Sequence, residues 1–189
     1  MTTAALPRRK SQRLWTFQEM VTESPETNLP VELWNGEIIM SPAPCPEHQE
    51  IVLNFARRLQ DFASRGKLGK TFISPLDVVL SRRRVVQPEV FYVAKARLGI
   101  VKDYIDGVPD LAMEVISEGS WQRDRIEKKA LYEQFGLKEY WIVDPDSRAI
   151  EVYFLKKSGY QLHGKGTERE IVRSKLLAGF EVAFNDLVG

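Results

Sequence analysis

The sequence predicts an α/β fold: a mixed central β-sheet flanked by two main helices, with an extra N-terminal hairpin and a C-terminal β-meander. Three observations carry that prediction. Pro109-Asp110-Leu111-Ala112-Met113-Glu114-Val115-Ile116-Ser117 and Glu139-Tyr140-Trp141-Ile142-Val143 are apolar on both faces. Short runs of that kind are central strands covered on both sides, whereas surface strands alternate. Glu47 to Ala63 and Asp124 to Phe135 carry apolar residues at helical spacing. Asn35-Gly36 stands between Val31-Glu32-Leu33-Trp34 and Glu37-Ile38-Ile39-Met40, and supplies the positive φ values of a type I′ hairpin turn.

Length and composition narrow the setting. A chain of 189 residues with 43% hydrophobic and 28% charged content is expected to form one domain, 14–189, behind a flexible basic tail at 1–13. The net charge of +1 offers no global field for a nucleic acid, so such a partner would need a local patch. One cysteine, Cys45, excludes an intramolecular disulfide and fits a reducing, cytoplasmic compartment. No apolar run reaches 18 residues, which argues against a membrane span.

The elements follow in order. Trp15 to about Thr22 forms a short helix with Thr16 as its N-cap. After the hairpin and an extended Ser41–Pro46 connector, the helix 47–63 places His48 near the middle of a stripe made by Ile51, Val52, Phe55, Leu59 and Phe62. Gly66 and Gly69 break the chain. Thr71 to Leu80 reads as one strand, Arg82-Arg83-Arg84 as a basic hairpin tip, and Val85 to Val93 as the next strand. The strand 109–117 follows. Asp124 then reads as an N-cap with Glu127 three residues on, and Gly136 as the helix stop. After the strand 139–143 come Ile150–Leu155 and Tyr160–His163, with turns at Lys157-Ser158-Gly159 and Gly164-Lys165-Gly166. A strand near Glu170–Arg173 and the apolar segment Leu176–Phe184 close the chain.

Two charged residues sit where packing gives no reason for them. Glu114 lies inside a strand buried on both faces, where an unpaired carboxylate costs several kcal/mol. Lys128, at about 100° per residue, falls between Leu131 and Tyr132 on the apolar face of its helix. A lysine there calls for a carboxylate partner.

This order of elements, with an acid on the second strand and a Glu inside the third, resembles the PD-(D/E)XK nuclease superfamily. The closer resemblance is to its "putative restriction endonuclease" family of bacterial proteins. The segments that carry it are Glu32-Leu33-Trp34-Asn35-Gly36-Glu37, His48-Gln49, Val86-Gln87-Pro88-Glu89, Pro109 to Val115, and Lys128 with Tyr132, Gly136 and Glu139 to Pro145. The resemblance implies a restriction-endonuclease-like core and a metal-dependent endonuclease acting on DNA, with Glu89 and Glu114 as ligands of Mg²⁺ or Mn²⁺. It implies Glu89, Glu114 and Lys128 as catalytic residues, with His48 and Glu37 in support, and no organic cofactor. Two departures stand out. Ile116 occupies the position of the usual lysine, whose role passes to Lys128, and Glu89 occupies that of the usual Asp, an extension of about 1.5 Å.

The same residues have structural readings. Glu114 and Lys128 make a buried ion pair, Glu89 a solvated strand end, His48 a hydrogen-bonded structural histidine, Glu37 an exposed hairpin edge, and Asp110 a strand-end cap. Two functions therefore remain in view: the endonuclease, and a nuclease-fold protein without catalysis that binds nucleic acid or protein. A homodimer fits either.

Overall fold

A computed structural model describes residues 13–23, 29–117 and 123–189, with the side chains of Arg123 and Asp124 outside the description. The tail expected at 1–13 falls, up to residue 12, outside the described residues, as does the proposed Asp124 cap. The first elements are α1 (Phe17–Glu23), β1 (Val31–Trp34), β2 (Glu37–Met40) and α2 (Pro46–Arg65). Next come β3 (Gly69–Ile73), β4 (Val78–Ser81), β5 (Arg84–Val86), β6 (Val90–Ala94), β7 (Ile105–Asp106) and β8 (Leu111–Val115). A π-wound turn, Arg123–Lys128, leads into α3 (Lys129–Phe135), followed by β9 (Glu139–Asp144), β10 (Ala149–Lys156), β11 (Gly159–Thr167), β12 (Val172–Arg173) and β13 (Glu181–Val182).

Six strands form the main sheet in the order β11-β10-β9-β8-β6-β3. Its β8–β9 pair is parallel and its other pairs are antiparallel, so the sheet is mixed as expected. β8 sits inside this sheet and all five of its residues are buried. On one face, Ile51, Phe55 and Leu59 of α2 pack on Val90, Met113 and Trp141, together with Phe180 and Phe184 of the C-terminal segment. Each such side chain contributes about 1.5–3 kcal/mol by leaving water. On the other face, Leu131 and Tyr132 of α3 pack on Phe91, Ala112, Tyr140 and Ile142. The two helices thus cover opposite faces. None of the helices among the described residues is long and apolar enough to cross a membrane.

A second sheet, β2-β1-β5-β4-β7, lies on the α3 side, where Val78, Val86 and Ile105 join the cluster around Phe91 and Val93. Its existence corrects the sequence reading twice. The strand expected over 71–80 is two strands, β3 in the main sheet and β4 in the second, separated by Ser74-Pro75. The strand expected over 85–93 is likewise β5 and β6, separated at Gln87-Pro88-Glu89. Proline cannot donate to a ladder, so each break falls beside one and the chain changes sheets there. The hairpin matches expectation: Val31 faces Met40, Trp34 faces Glu37, and Asn35 and Gly36 have φ of 52° and 89°.

At α1, the Glu19 carboxylate accepts the Thr16 N–H at 2.7 Å and the Thr16 hydroxyl accepts the Glu19 N–H at 3.4 Å, so Thr16 caps the helix as expected. Gly136, at φ 83°, terminates α3 in the left-handed region. The turn expected at Gly164-Lys165-Gly166 is instead part of β11, which stays paired with β10 through Thr167. A bulge at His163 shifts the register, Val152 facing Gly164 and Tyr153 facing Leu162. Glycine is needed at 166 for a close approach: a Cβ there would stand 2.8 Å from the Glu170 carbonyl oxygen.

Gly69 is tighter still, since a Cβ would stand 2.2 Å from the Val93 carbonyl oxygen, which is backbone and cannot step aside. Gly69→Ala is expected to lower stability by about 1–3 kcal/mol through overpacking, read as a lower urea midpoint with an unchanged m value.

Candidate active site

The site is assembled from strand ends and the N-terminal parts of two helices. Glu114 projects from β8 toward α3, sharing strand parity with Ala112 and Ile116. It is 1% exposed. Its Oε1 accepts Lys128 Nζ at 2.9 Å and the Tyr132 hydroxyl at 2.8 Å. Lys128 is therefore paired with Glu114, as the helical wheel requires, and Ile116 packs against the same helix in the apolar cluster. The helix supplies the ammonium where the strand supplies a methyl.

What places Lys128 is partly ionic. Arg125, three residues earlier on the π-wound turn, donates to Asp144 Oδ2 at 2.9 Å and Glu151 Oε2 at 3.0 Å. These bonds pin the start of the helix to the ends of β9 and β10. Burial pushes the Asp144 and Glu151 carboxyls up, but their hydrogen bonds and the Arg125 charge outweigh it and hold both below their ordinary values.

Glu89 lies just beyond β6. The last rung of the β6–β8 ladder pairs Val90 with Met113. Past it the chain bends at Pro88-Glu89, and the Val115 N–H donates instead to Glu89 Oε2 at 2.7 Å. The carboxylate thus caps the peptide that joins Glu114 to Val115. Its Oε1 meets Nε2 of His48, in the first turn of α2, with the imidazole 12% and the carboxylate 23% exposed. His48, Glu89 and the end of β8 are in one place. The Glu89 side chain thus reaches both the Val115 amide and the imidazole.

Glu37 does not join them. It sits exposed at the start of β2, opposite Trp34. The carboxylate that the hairpin contributes is Glu32, a residue not among the candidates drawn from the sequence. Glu32 is 3% exposed. Its Oε1 stands 3.3 Å from Lys128 Nζ and accepts the Gln87 N–H at 3.0 Å, and its Oε2 accepts the Trp34 indole N–H at 3.0 Å. Packing accounts for its burial: Leu33 packs with Met20 and Val85, while Trp34, on the other face, packs against the cluster around Phe91 and Tyr132. β1 is thus covered on both sides, as β8 is, and an acid inside such a strand calls for a partner.

Other buried acids are structural. Asp110, the expected strand-end cap, accepts the Ala94 N–H at 2.9 Å and Lys138 Nζ at 2.8 Å, and pairs with Arg97 at 3.0 Å. Glu139 accepts bonds from Trp141, Ser174 and the Lys175 and Leu176 amides, tying the C-terminal segment to β9.

Among the described residues no group of three or more His, Cys, Asp or Glu gathers as a metal cage. A small hard cation needs less, because it takes oxygen ligands and keeps several waters. Glu89 and Glu114 fit that requirement in kind. They are oxygen donors at neighbouring strand ends, and each Glu89 oxygen has taken one donor of the roughly two it can accept.

A helix, three strands, a helix and a strand around a mixed sheet, with an acid and a lysine meeting over the central strand, define the restriction-endonuclease-like class of folds. Over residues 16–185 the sequence matches the model of the Uma2 family, described as "Putative restriction endonuclease", and the chain belongs to that family. The fold is similar to the crystal structure of a "putative nuclease belonging to DUF820" from Anabaena variabilis. That match has a TM-score of 0.74 at 18% identity and covers 91% of this chain and 96% of that one. No curated protein matches the sequence.

The electrostatics of Glu32 make a pH prediction. Burial pushes its carboxyl up, but Lys128, the Gln87 N–H and the Trp34 indole outweigh that and hold it below its ordinary value of 4.5. The folded state therefore binds fewer protons here than the unfolded state. The stability this confers is present in full above about pH 4.5 and is lost as pH falls through the depressed folded value. Urea midpoints measured from pH 7 to pH 3 are expected to fall less steeply in Glu32→Gln than in the wild type.

Proposed function

We propose that this protein is a metal-dependent endonuclease hydrolysing phosphodiester bonds, with DNA as substrate and Mg²⁺ or Mn²⁺ as cofactor. The observation that carries the reading is the Lys128 ammonium 2.9 Å from Glu114, brought there by a helix that packs over the central strand. The Uma2 membership and the nuclease-like fold support the reaction class.

In this reading Glu89 and Glu114 hold the cation. When bound, it supplies Lewis acidity toward the phosphate and a water of lowered pKa. Lys128 is a fixed positive charge aimed at the reacting centre, and stabilises negative charge that develops on the phosphoryl oxygens. His48 holds the Glu89 carboxylate in orientation through Oε1, and the Val115 N–H holds it through Oε2. The Tyr132 hydroxyl does the same for Glu114. Cutting both strands of a duplex needs two such centres, which two copies of the chain would provide.

The second reading, a nuclease-fold module that binds without cleaving, is favoured by one observation. Both Glu89 oxygens are already engaged by the protein, at a position where the family pattern has the shorter Asp. Supercoiled plasmid separates the two. The expected result is nicking that requires Mn²⁺ or Mg²⁺, stops with EDTA, is lost in Glu114→Ala, and falls about 10²–10³-fold in Lys128→Ala. Absence of cleavage with every divalent ion, together with no heat on titrating Mn²⁺, is the result that favours the binding module.

A further inference from the structure

We infer that Glu32 is the positioning residue of the site: a carboxylate from the N-terminal hairpin that sets Lys128 against Glu114 and fixes the chain entering Glu89. The inference rests on the nuclease reading. Glu32 is 3% exposed and both of its oxygens are taken up by Lys128, the Gln87 N–H and the Trp34 indole, so it acts through Lys128. It bonds to the machinery twice through one oxygen. Oε1 stands 3.3 Å from Lys128 Nζ and accepts the Gln87 N–H at 3.0 Å, two residues before Glu89. Oε2 is fixed by the Trp34 indole at 3.0 Å, so the carboxylate plane cannot turn.

The arrangement of charge gives the reason. A lysine has three donors on a flexible stem and one partner does not fix it. Glu114 Oε1 is shared between Lys128 and Tyr132, and any cation held by Glu114 would compete with Lys128 for it. Glu32 is a second anion on which Lys128 stays anchored while Glu114 serves another ligand. The second sheet is thereby part of the site's framework. It brings Glu32 from β1 and places Gln87 at the exit of β5, and neither strand belongs to the sheet that carries Glu114.

The test uses the full chain with Mg²⁺. In Glu32→Gln the amide oxygen can keep the Gln87 and Lys128 bonds only by turning its NH₂ toward the Trp34 N–H. The double variant Glu32→Gln/Trp34→Phe removes that opposing donor and guards against a folding defect. In both variants kcat for plasmid nicking is expected to fall at least about tenfold, the size of effect seen for residues that orient a ligand, while KM stays within about twofold. A readout independent of cleavage is the ¹⁵N–¹H signal of the Lys128 ammonium, assigned by its absence in Lys128→Met. It is expected to be protected from exchange in the wild type and to shift or broaden in both variants. An unchanged kcat in the variants overturns the inference. So does a wild type without a protected Lys128 signal, or a signal the same in all three proteins. If the wild type does not cleave, the nuclease reading fails and the ammonium signal alone decides the placement of Lys128 by Glu32.

Discussion

The Glu32–Lys128–Glu114 bridge is the interaction on which the arrangement of this molecule turns. Two carboxylates and one ammonium are held almost entirely out of water, at 3%, 1% and 7% exposure. Each ion forfeits hydration worth several kcal/mol, and attraction recovers that only with close geometry and further hydrogen bonds. Those bonds are present: Gln87 and Trp34 on Glu32, Tyr132 on Glu114. The three ions come from a hairpin strand, a central strand and a helix. The bridge forms only when both sheets and the helix have docked, so it reports on the whole α3 side of the fold.

The opposite side is governed by apolar contact. α2 lies on Val90, Met113 and Trp141 through Ile51, Phe55 and Leu59, and its first turn carries His48 to the rim. There the β6–β8 ladder ends, and a side chain replaces the missing backbone rung. Glu89 satisfies the Val115 N–H and meets the imidazole at the same time. A strand end that must satisfy an orphan donor and present a carboxylate has a use for the additional methylene of Glu.

Buried acids alone do not mark the site. Asp110, Glu139 and Glu151 are as buried as the candidates, and each is used to clamp a segment onto the main sheet. What separates Glu114 and Glu32 from them is the partner. Asp110 and Glu151 meet cations that are partly exposed and approach from the surface, and Glu139 meets amides, a hydroxyl and an indole. Glu114 and Glu32 share one cation that is itself buried, beside a strand end where the Glu89 carboxylate, 23% exposed, stands. Convergence of unlike charges at a rim, not burial, is the informative feature.

Periodicity along the chain determined a good deal by itself: the doubly apolar strand around Glu114, the apolar face that contains Lys128, the stripe on α2 with His48 at its head, and the Asn-Gly hairpin. Each of these is a local pattern, set by side chains a few residues apart. Tertiary structure decided the rest. Pro75 and Pro88 mark where the two apolar runs break, but nothing local assigns β3 and β4, or β5 and β6, to different sheets, because a run of apolar residues states how buried a strand is and not which sheet receives it. For the same reason Glu37, the exposed acid of the hairpin, was as eligible as Glu32. The choice between them was made by which face of β1 meets the helix carrying Lys128, a contact between segments almost a hundred residues apart.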